Sequence, residues 1–314
     1  MRLLHGLNLP KAAYTASVVT IGNFDGFHRG HQAVIDRLCV TAQALRFPAV
    51  VIIFEPLPQE FFAPDHAPGR LQRLRDRLQV FKTARIDALW VMPFNAALAQ
   101  RTAQDFIRHI LVDARRAKHV LVGDDFRFGK DRVGDFAVLE KAGKHYGFSV
   151  AATPTVSDHQ GRISSTRVRA AAQAGDFQLV TELLGRAYSI SGRVAHGDKR
   201  GRIFGFPTAN VRLGLRPHAL RGVFAGWLHD PQARVWPAVA NIGWRPTLAG
   251  TEQRLEAHIL DAQLDLYGQC VRFVPVAKIR DEQRFASVED LQRQIEQDVL
   301  ATRGVLSVSE GVRD

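Results

Sequence analysis

Apolar residues follow two different rhythms along the chain, and the change falls near residue 186. Before it, near-continuous Val/Ile runs alternate with helical spacings. "SVVTIG" (17–22) and "PAVVIIFEP" (48–56) predict buried strands, and "HQAVIDRLCVTAQAL" between them sets Val34, Leu38 and Leu45 at helical intervals. "RLQRLRDRLQVFKT" (70–83) predicts a helix with Leu71, Leu74, Leu78 and Phe81 on one face, and Arg73, Arg75 and Arg77 on a solvated one. "DALWVM" (87–92) reads as a third strand, "AQDFIRHIL" (103–111) as a helix, "AKHVLVGDDF" (117–126) as a fourth strand and "GFSVAAT" (147–153) as a fifth. Strands alternating with helices predict an α/β unit with a parallel, doubly wound sheet.

After residue 186 the strands are short and alternating. "AYSISGRV", "GVFAGWLH", "WPAVANIG", "QRLEAHIL" and "QCVRFVPVAKI" are separated by Gly, Pro and Asp turns, with no helix until "SVEDLQRQIEQDVLA" (287–301). There Ser287 is the expected N-cap, and Leu291, Ile295 and Val299 form the apolar stripe. Such a run predicts a small antiparallel barrel closed by one helix. The boundary is expected after the helical segment "TRVRAAAQAGDFQLVTELLG", giving domains 1–185 and 186–314. The length of 314 residues suits two cores.

Composition narrows the partners. Hydrophobic residues make up 46% and charged residues 23%, as in ordinary globular proteins, and the longest apolar run, "AVVIIF", suits a strand rather than a membrane span. "MRLLHGLNLPK" lacks the apolar core of a secretory signal, and a strand pattern by Ser17 argues against a transit peptide. Cys39 and Cys270 are the two cysteines, which predicts a reducing, cytoplasmic setting without a disulfide framework. The net charge of +11 implies anionic partners, either nucleic acid or phosphorylated small molecules. A nucleic-acid binder would interleave its cations with aromatics, whereas these arginines are spaced along helix faces.

"TIGNFDGFHRGHQAVIDRL" (20–38) carries the chemistry of the first half. Gly22, Gly26 and Gly30 lie in the turn from strand to helix, at the carboxyl end of a parallel strand, where open sheets bind ligands. Glycines let backbone N–H groups approach a phosphate, and a helix N-terminus adds partial positive charge. Neither G-x-G-x-x-G nor a P-loop occurs. His28 and His31, three apart, are open to three readings: a zinc pair, two incidental surface histidines, or a clamp on a triphosphate. "ISSTRVR" (163–169) places Ser164, Ser165 and Thr166 with Arg167 and Arg169 at a helix start, as ordinary caps or as the second side of a phosphate site.

"GNFDGFHRGH" with "ISSTRVR" resembles the nucleotidylyltransferase superfamily, specifically the amino-terminal half of bacterial bifunctional riboflavin kinase/FAD synthetases. The resemblance runs end to end through "FEPLPQEFF", "VGDDFRFGK", "GDKRGRIFGFPTANV", "GVFAG", "NIGWRPT", "LEAHILD", "DLYGQ" and "IRDEQRFASVEDLQRQI". It implies a Rossmann-like adenylyltransferase domain followed by a six-stranded flavokinase barrel. Leu57 stands where many members carry histidine, Phe224 where tyrosine is usual, and Trp244 where threonine is common.

In "GRIFGFPTANV", Thr208 and Asn210 alone would be turn and strand residues bonding backbone; the resemblance assigns them to a magnesium ion bridging ATP phosphates, with Gly205 and Pro207 shaping the nucleotide turn. Glu256 alone would be a solvent-facing glutamate, since Leu255, Ala257 and Ile259 alternate inward; the family makes it the base for the riboflavin 5′-hydroxyl. The resemblance also implies Lys199 and Arg202 over the phosphates, and Asn23, Asp25 and Asp125 at the nucleotide and flavin ends of the first site. The two reactions differ in what they ask of a protein. A neutral alcohol attacking a γ-phosphate is helped by a carboxylate, whereas FMN brings an already ionised nucleophile and needs donors and positive charge. The expected function is conversion of riboflavin to FMN and then FAD, with ATP and magnesium and with no nucleic acid, membrane or obligate protein partner. A flavokinase whose first domain only binds flavin or nucleotide is the alternative.

Overall fold

The computed structural model describes residues 1–6, 15–196, 205–247 and 250–308. Its contacts divide the chain into two compact units, one of residues 1–68 and 77–163, the other of residues 69–76 and 164–314.

The first unit is built on an all-parallel six-stranded sheet. In chain order the strands are β1 (Arg2–His5), β2 (Ser17–Ile21), β3 (Ala49–Glu55), β4 (Ala88–Pro93), β5 (Ala117–Gly123) and β6 (Ser149–Thr153), and their spatial order is β1-β4-β3-β2-β5-β6. Every residue of β2 and the first six of β3 are buried, as expected for strands covered on both faces. Successive strands run β2 to β3 to β4 one way, and β5 to β6 the other. The direction reverses between β2 and β5, so their carboxyl ends flank the crevice where this topology binds ligands. β1 was not expected; its burial alternates too little to read as a strand, and it is held by parallel pairing with β4.

Three of the expected helices differ from the reading. The 70–83 segment turns helical only at Leu74 (Leu74–Thr83). The 103–111 segment is a single α-turn, Ala103–Phe106, continuing as a π-helix over Ile107–Ala114. The helical run before the barrel is two helices, Ser165–Ala174 and Phe177–Leu184, because Gly175 takes a left-handed conformation and ends the first. A small hairpin of β7 (Ser157–Asp158) and β8 (Gly161–Arg162) precedes them.

The second unit holds a closed antiparallel barrel. Its strands are β9 (Ile190–Ala195), β10 (Thr208–Gly214), β11 (Gly222–His229), β12 (Val235–Thr247), β13 (Gly250–Ile259) and β14 (Cys270–Arg280), in the cyclic order β10-β13-β12-β11-β14-β9. Cross-strand register stacks the interior in layers: Val211, Leu255 and Ile242 in one, Ala209, Ala257 and Ala240 in the next, all buried. The C-terminal helix, Val288–Val308, starts after Ser287, whose hydroxyl accepts from Asp290 N at 3.1 Å.

Candidate functional site

The glycine turn of the first unit leaves β2 at the crevice. Phe24 (φ 49°) and Phe27 (φ 46°) are non-glycine residues with left-handed backbone, a costly arrangement that recurs at functional turns. Surrounding contacts hold it. Phe81 lies edge-on to Phe24 (5.6 Å) and Phe27 (5.1 Å). Arg77, one turn earlier on the same helix and 1% exposed, donates Nη1 to the Asn23 carbonyl at 3.0 Å and pairs through Nη2 with Glu55. The solvated-face reading of these arginines is therefore corrected. Arg77 is buried with a carboxylate, and Arg73 is half-buried, ion-paired to Asp76 (3.0 Å) and donating to the Ser191 and Arg212 carbonyls; Arg75 alone is exposed. Spacing cannot distinguish a solvated arginine from one whose charge is met inside.

Helix α1 (Arg29–Leu45) begins at this turn, and its N-cap is His28 itself. The His31 backbone N–H donates to His28 Nδ1 at 3.3 Å, so in the neutral ring the proton sits on Nε2. The two imidazoles stack, centroids 3.7 Å apart and 19° from parallel, and Phe24 lies 5.0 Å from His31. Gly30 makes this stack fit: a Cβ there would stand 3.1 Å from two atoms of the His28 ring. Asp25 and His28 are buried, Asn23 is exposed, and Gly22 is half-buried at the end of β2.

Across the switch point, the exposed Asp125 carboxylate after β5 lies 2.9 Å from Arg162. The Thr155 hydroxyl donates to neighbouring Asp124 at 2.6 Å and holds that carboxyl below its usual range. Four phenylalanines missed by the sequence reading gather at the carboxyl ends of β3 and β4. Phe54, Phe61 and Phe62 each lie edge-on to Phe94 at 5.5–5.6 Å, and Phe62 is 65% exposed. Leu57 is buried where its helix begins, its N–H donating to Glu60.

Ser164, Ser165, Thr166 and Arg169 belong to the second unit. Ser164 caps the helix Ser165–Ala174, accepting from Arg167 N at 3.3 Å; Thr166 is exposed; Arg169 Nε donates to the Gly69 carbonyl at 2.7 Å. Lys199 and Arg202 lie outside the described residues.

On the barrel, register decides which side chains meet. Thr208 is opposite His258, and Asn210 is opposite Glu256, which in turn is opposite Asn241 on β12. Directly opposed residues share a face, so Thr208, Asn210, Glu256, His258 and Asn241 form one polar patch on the face turned from the apolar layers. Asn241 was missed because only the three-strand register gives it a role. Asn210 Nδ2 lies 3.3 Å from Thr208 Oγ1 and 3.2 Å from its carbonyl. His258 Nδ1 donates to the Pro207 carbonyl at 2.9 Å and so fixes the turn leading into Thr208. Beside this patch a cavity of about 530 Å³ is lined by Gly205, Pro207, Thr208, Asn210, Asp265 and Tyr267, among others. Phe224 is fully buried and edge-on to Phe177 (5.9 Å), while Trp244 is half-buried on β12.

Thr208 and Asn210 offer neutral oxygen ligands, and no group of three or more His, Cys, Asp or Glu that could hold a metal occurs among the described residues. Such a donor pair fits a hard cation that brings most of its ligands with it, as magnesium does on nucleotide phosphates.

Comparisons with known proteins agree with this geometry in both halves. A family model described as FAD synthetase matches residues 11–167, and one described as riboflavin kinase matches residues 184–306. The chain is 46% identical over 304 residues to the bifunctional riboflavin kinase/FMN adenylyltransferase of Escherichia coli strain K12, covering 96% of this chain and 97% of that one. It is also 46% identical over 310 residues to the protein of the same name from Pseudomonas fluorescens, covering 98% and 99%. Among solved structures, a Streptococcus pneumoniae chain described as a macrolide-efflux protein is similar with a TM-score of 0.72 and 32% identity, covering 94% of this chain and 95% of that one. Among the described residues here, no helix is long and apolar enough to cross a membrane.

Proposed function

The chain belongs to the bifunctional riboflavin kinase/FMN adenylyltransferase family, and from that membership we propose how its own residues divide the work. It phosphorylates riboflavin to FMN with ATP, and adenylylates FMN with ATP to give FAD and diphosphate. Kinase chemistry is assigned to the barrel and adenylyl transfer to the sheet, with the functional boundary near residue 185.

The observation that carries the kinase assignment is the register that sets Glu256 directly opposite Asn210. In this reading Glu256 takes the proton of the riboflavin 5′-hydroxyl as that oxygen attacks the γ-phosphate. Thr208 and Asn210 would hold magnesium that arrives with ATP, and the ion would supply charge stabilisation for phosphoryl transfer. Gly205 and Pro207 shape the nucleotide turn, and Lys199 and Arg202 are assigned to the phosphates by family analogy.

For adenylyl transfer, the FMN phosphate is ionised near neutral pH and needs no base. His28 and His31 are read as the clamp on the ATP phosphates: His28 offers Nε2–H, and the α1 N-terminus adds donors and partial positive charge. Ser164, Ser165, Thr166 and Arg169 are assigned to phosphate binding by family analogy, and Gly22, Asn23, Asp25, Gly30 and Asp125 are assigned to the ends of the glycine-turn site. Phe62, the exposed member of the phenylalanine group, offers a stacking surface for the flavin ring. A cytoplasmic location fits two free cysteines, and the basic charge is read as serving nucleotides rather than nucleic acid.

Two incubations test the reading. FMN with ATP and magnesium should give FAD and diphosphate, and riboflavin should give FMN and then FAD; chelating magnesium should abolish both. Production of FMN without FAD under saturating ATP would replace this reading with a flavokinase whose first domain only binds.

A further inference from the structure

Glu256 is gripped by a second strand. Arg245, four residues beyond Asn241 on β12, meets it with two nitrogens, Nε to Oε1 at 3.1 Å and Nη2 to Oε2 at 3.0 Å. Both side chains are partly buried, 35% and 23% exposed, so water screens the pair less than at an open surface. The remaining nitrogen, Nη1, donates to the Trp244 carbonyl at 3.2 Å and lies 3.9 Å from Glu282 Oε1. Glu282 accepts from Arg221 Nε at 2.7 Å. Its carboxylate lies on the β12 backbone at Gly243, where an added Cβ would stand 1.8 Å from Glu282 Oε1. Charges thus alternate in a row, Arg221, Glu282, Arg245, Glu256.

A guanidinium fork fixes the plane of a carboxylate as well as its position, which a lysine point charge does not. Each carboxylate oxygen has two lone pairs, so one on each remains to accept a hydroxyl proton while Arg245 keeps its grip. We propose that Arg245 is a positioning residue of the kinase site. It aims the Glu256 carboxylate at the riboflavin hydroxyl, and Glu282, seated against Gly243 and tied to Arg221, holds Arg245 in place. The proposal rests on the reading of Glu256 as the base.

The test is a double-variant cycle in the full-length enzyme with Arg245→Gln, Glu256→Gln and the pair combined. Circular dichroism melts serve as the control for folding of the barrel, and FMN adenylylation by the same molecules as the control for the sheet unit. Arg245→Gln should lower kcat for riboflavin phosphorylation by roughly 10–100-fold, as a misaimed catalytic group does, with riboflavin KM moving less than about threefold and FMN adenylylation unchanged. On the Glu256→Gln background the same substitution should cost almost nothing, because a residue acting through Glu256 has nothing left to aim. If the two losses multiply, or if Arg245→Gln keeps the parental kcat while Glu256→Gln loses it, the positioning role is wrong and the base survives. If Glu256→Gln itself keeps the parental rate, the base reading fails instead. Should Arg245→Gln not fold, Arg245→Lys, which keeps the charge without the fork, enters the cycle under the same criteria.

Discussion

At the scale of single residues, two chemistries on one chain can be separated by substitution. Glu256→Gln keeps size but removes the proposed base and one of the two acceptors that Arg245 meets, so FMN formation should fall by roughly 10²-fold or more. FMN adenylylation should hardly change, since its nucleophile arrives ionised. His28→Ala and His31→Ala should do the reverse: each removes one ring of the 3.7 Å stack, and FMN should accumulate as FAD formation slows. Chromatography of both products for all three variants checks this in one experiment. A glutamate that merely faces solvent would leave the kinase untouched, and incidental histidines would leave the synthetase untouched. The same turn shows why residue type and spacing go together. His28 caps its own helix, and Gly30 is small because the capping ring lies over it.

At the scale of elements, the segment joining β10 to β11 carries a buried histidine with a pH signature. His218 Nδ1 accepts from Leu220 N at 3.2 Å, its Nε2 lies 3.2 Å from the Tyr188 hydroxyl, and its own N–H donates to Gln253 at 2.6 Å. Burial, with Arg73 beside it, pushes the imidazole from 6.5 down to about 3. The folded chain therefore refuses a proton that the unfolded chain accepts below pH 6.5. Stability is full above that value and falls as pH drops from 6.5 toward 3, at up to about 1.4 kcal/mol per pH unit. Urea midpoints for the barrel measured at pH 7, 5.5 and 4.5 should decline, and His218→Gln should flatten that decline. Equal slopes for the two proteins would mean that the imidazole is not held neutral. The depressed carboxyls, Asp230 and Asp261 among them, lose their contribution mainly below pH 3.8, outside this comparison.

At the scale of the molecule, the second unit takes in more chain than the barrel strands. Phe177 packs on the fully buried Phe224, Lys278 reaches the Gln173 carbonyl at 3.2 Å, and the Tyr188 hydroxyl donates to the Leu71 carbonyl at 2.6 Å. A fragment from residue 186 loses all three of these contacts, and a fragment from residue 164 keeps the first two. Uncovering large apolar side chains costs about 1.5–3 kcal/mol each, so the 164–314 fragment should melt at a higher temperature than 186–314. Both should convert riboflavin to FMN if the kinase residues lie beyond residue 185. Circular dichroism melts and product analysis read the two outcomes; a folded but inert 164–314 fragment would overturn the proposed division of labour.

The sequence by itself determined the two architectures and the motif segments. Periodicity 2 and periodicity 3.6 are local properties, so β2, β3, β11 and the C-terminal helix could be read from side-chain spacing alone. It also pointed to His28 and Gly30 through the glycine turn, and to Thr208 and Glu256 through the family resemblance, since their local pattern alone reads as turn and strand residues. Tertiary structure alone decided what is long-range. Strand order put the β2 and β5 ends at one switch point, and barrel register set Asn210, Glu256 and Asn241 side by side. Burial turned Arg77 from a surface cation into the support of a strained turn, and Arg245 from a strand residue into the grip on a carboxylate. Charge meets charge through space, over 22 positions between Arg77 and Glu55 and 11 between Arg245 and Glu256, and no local pattern encodes such a meeting.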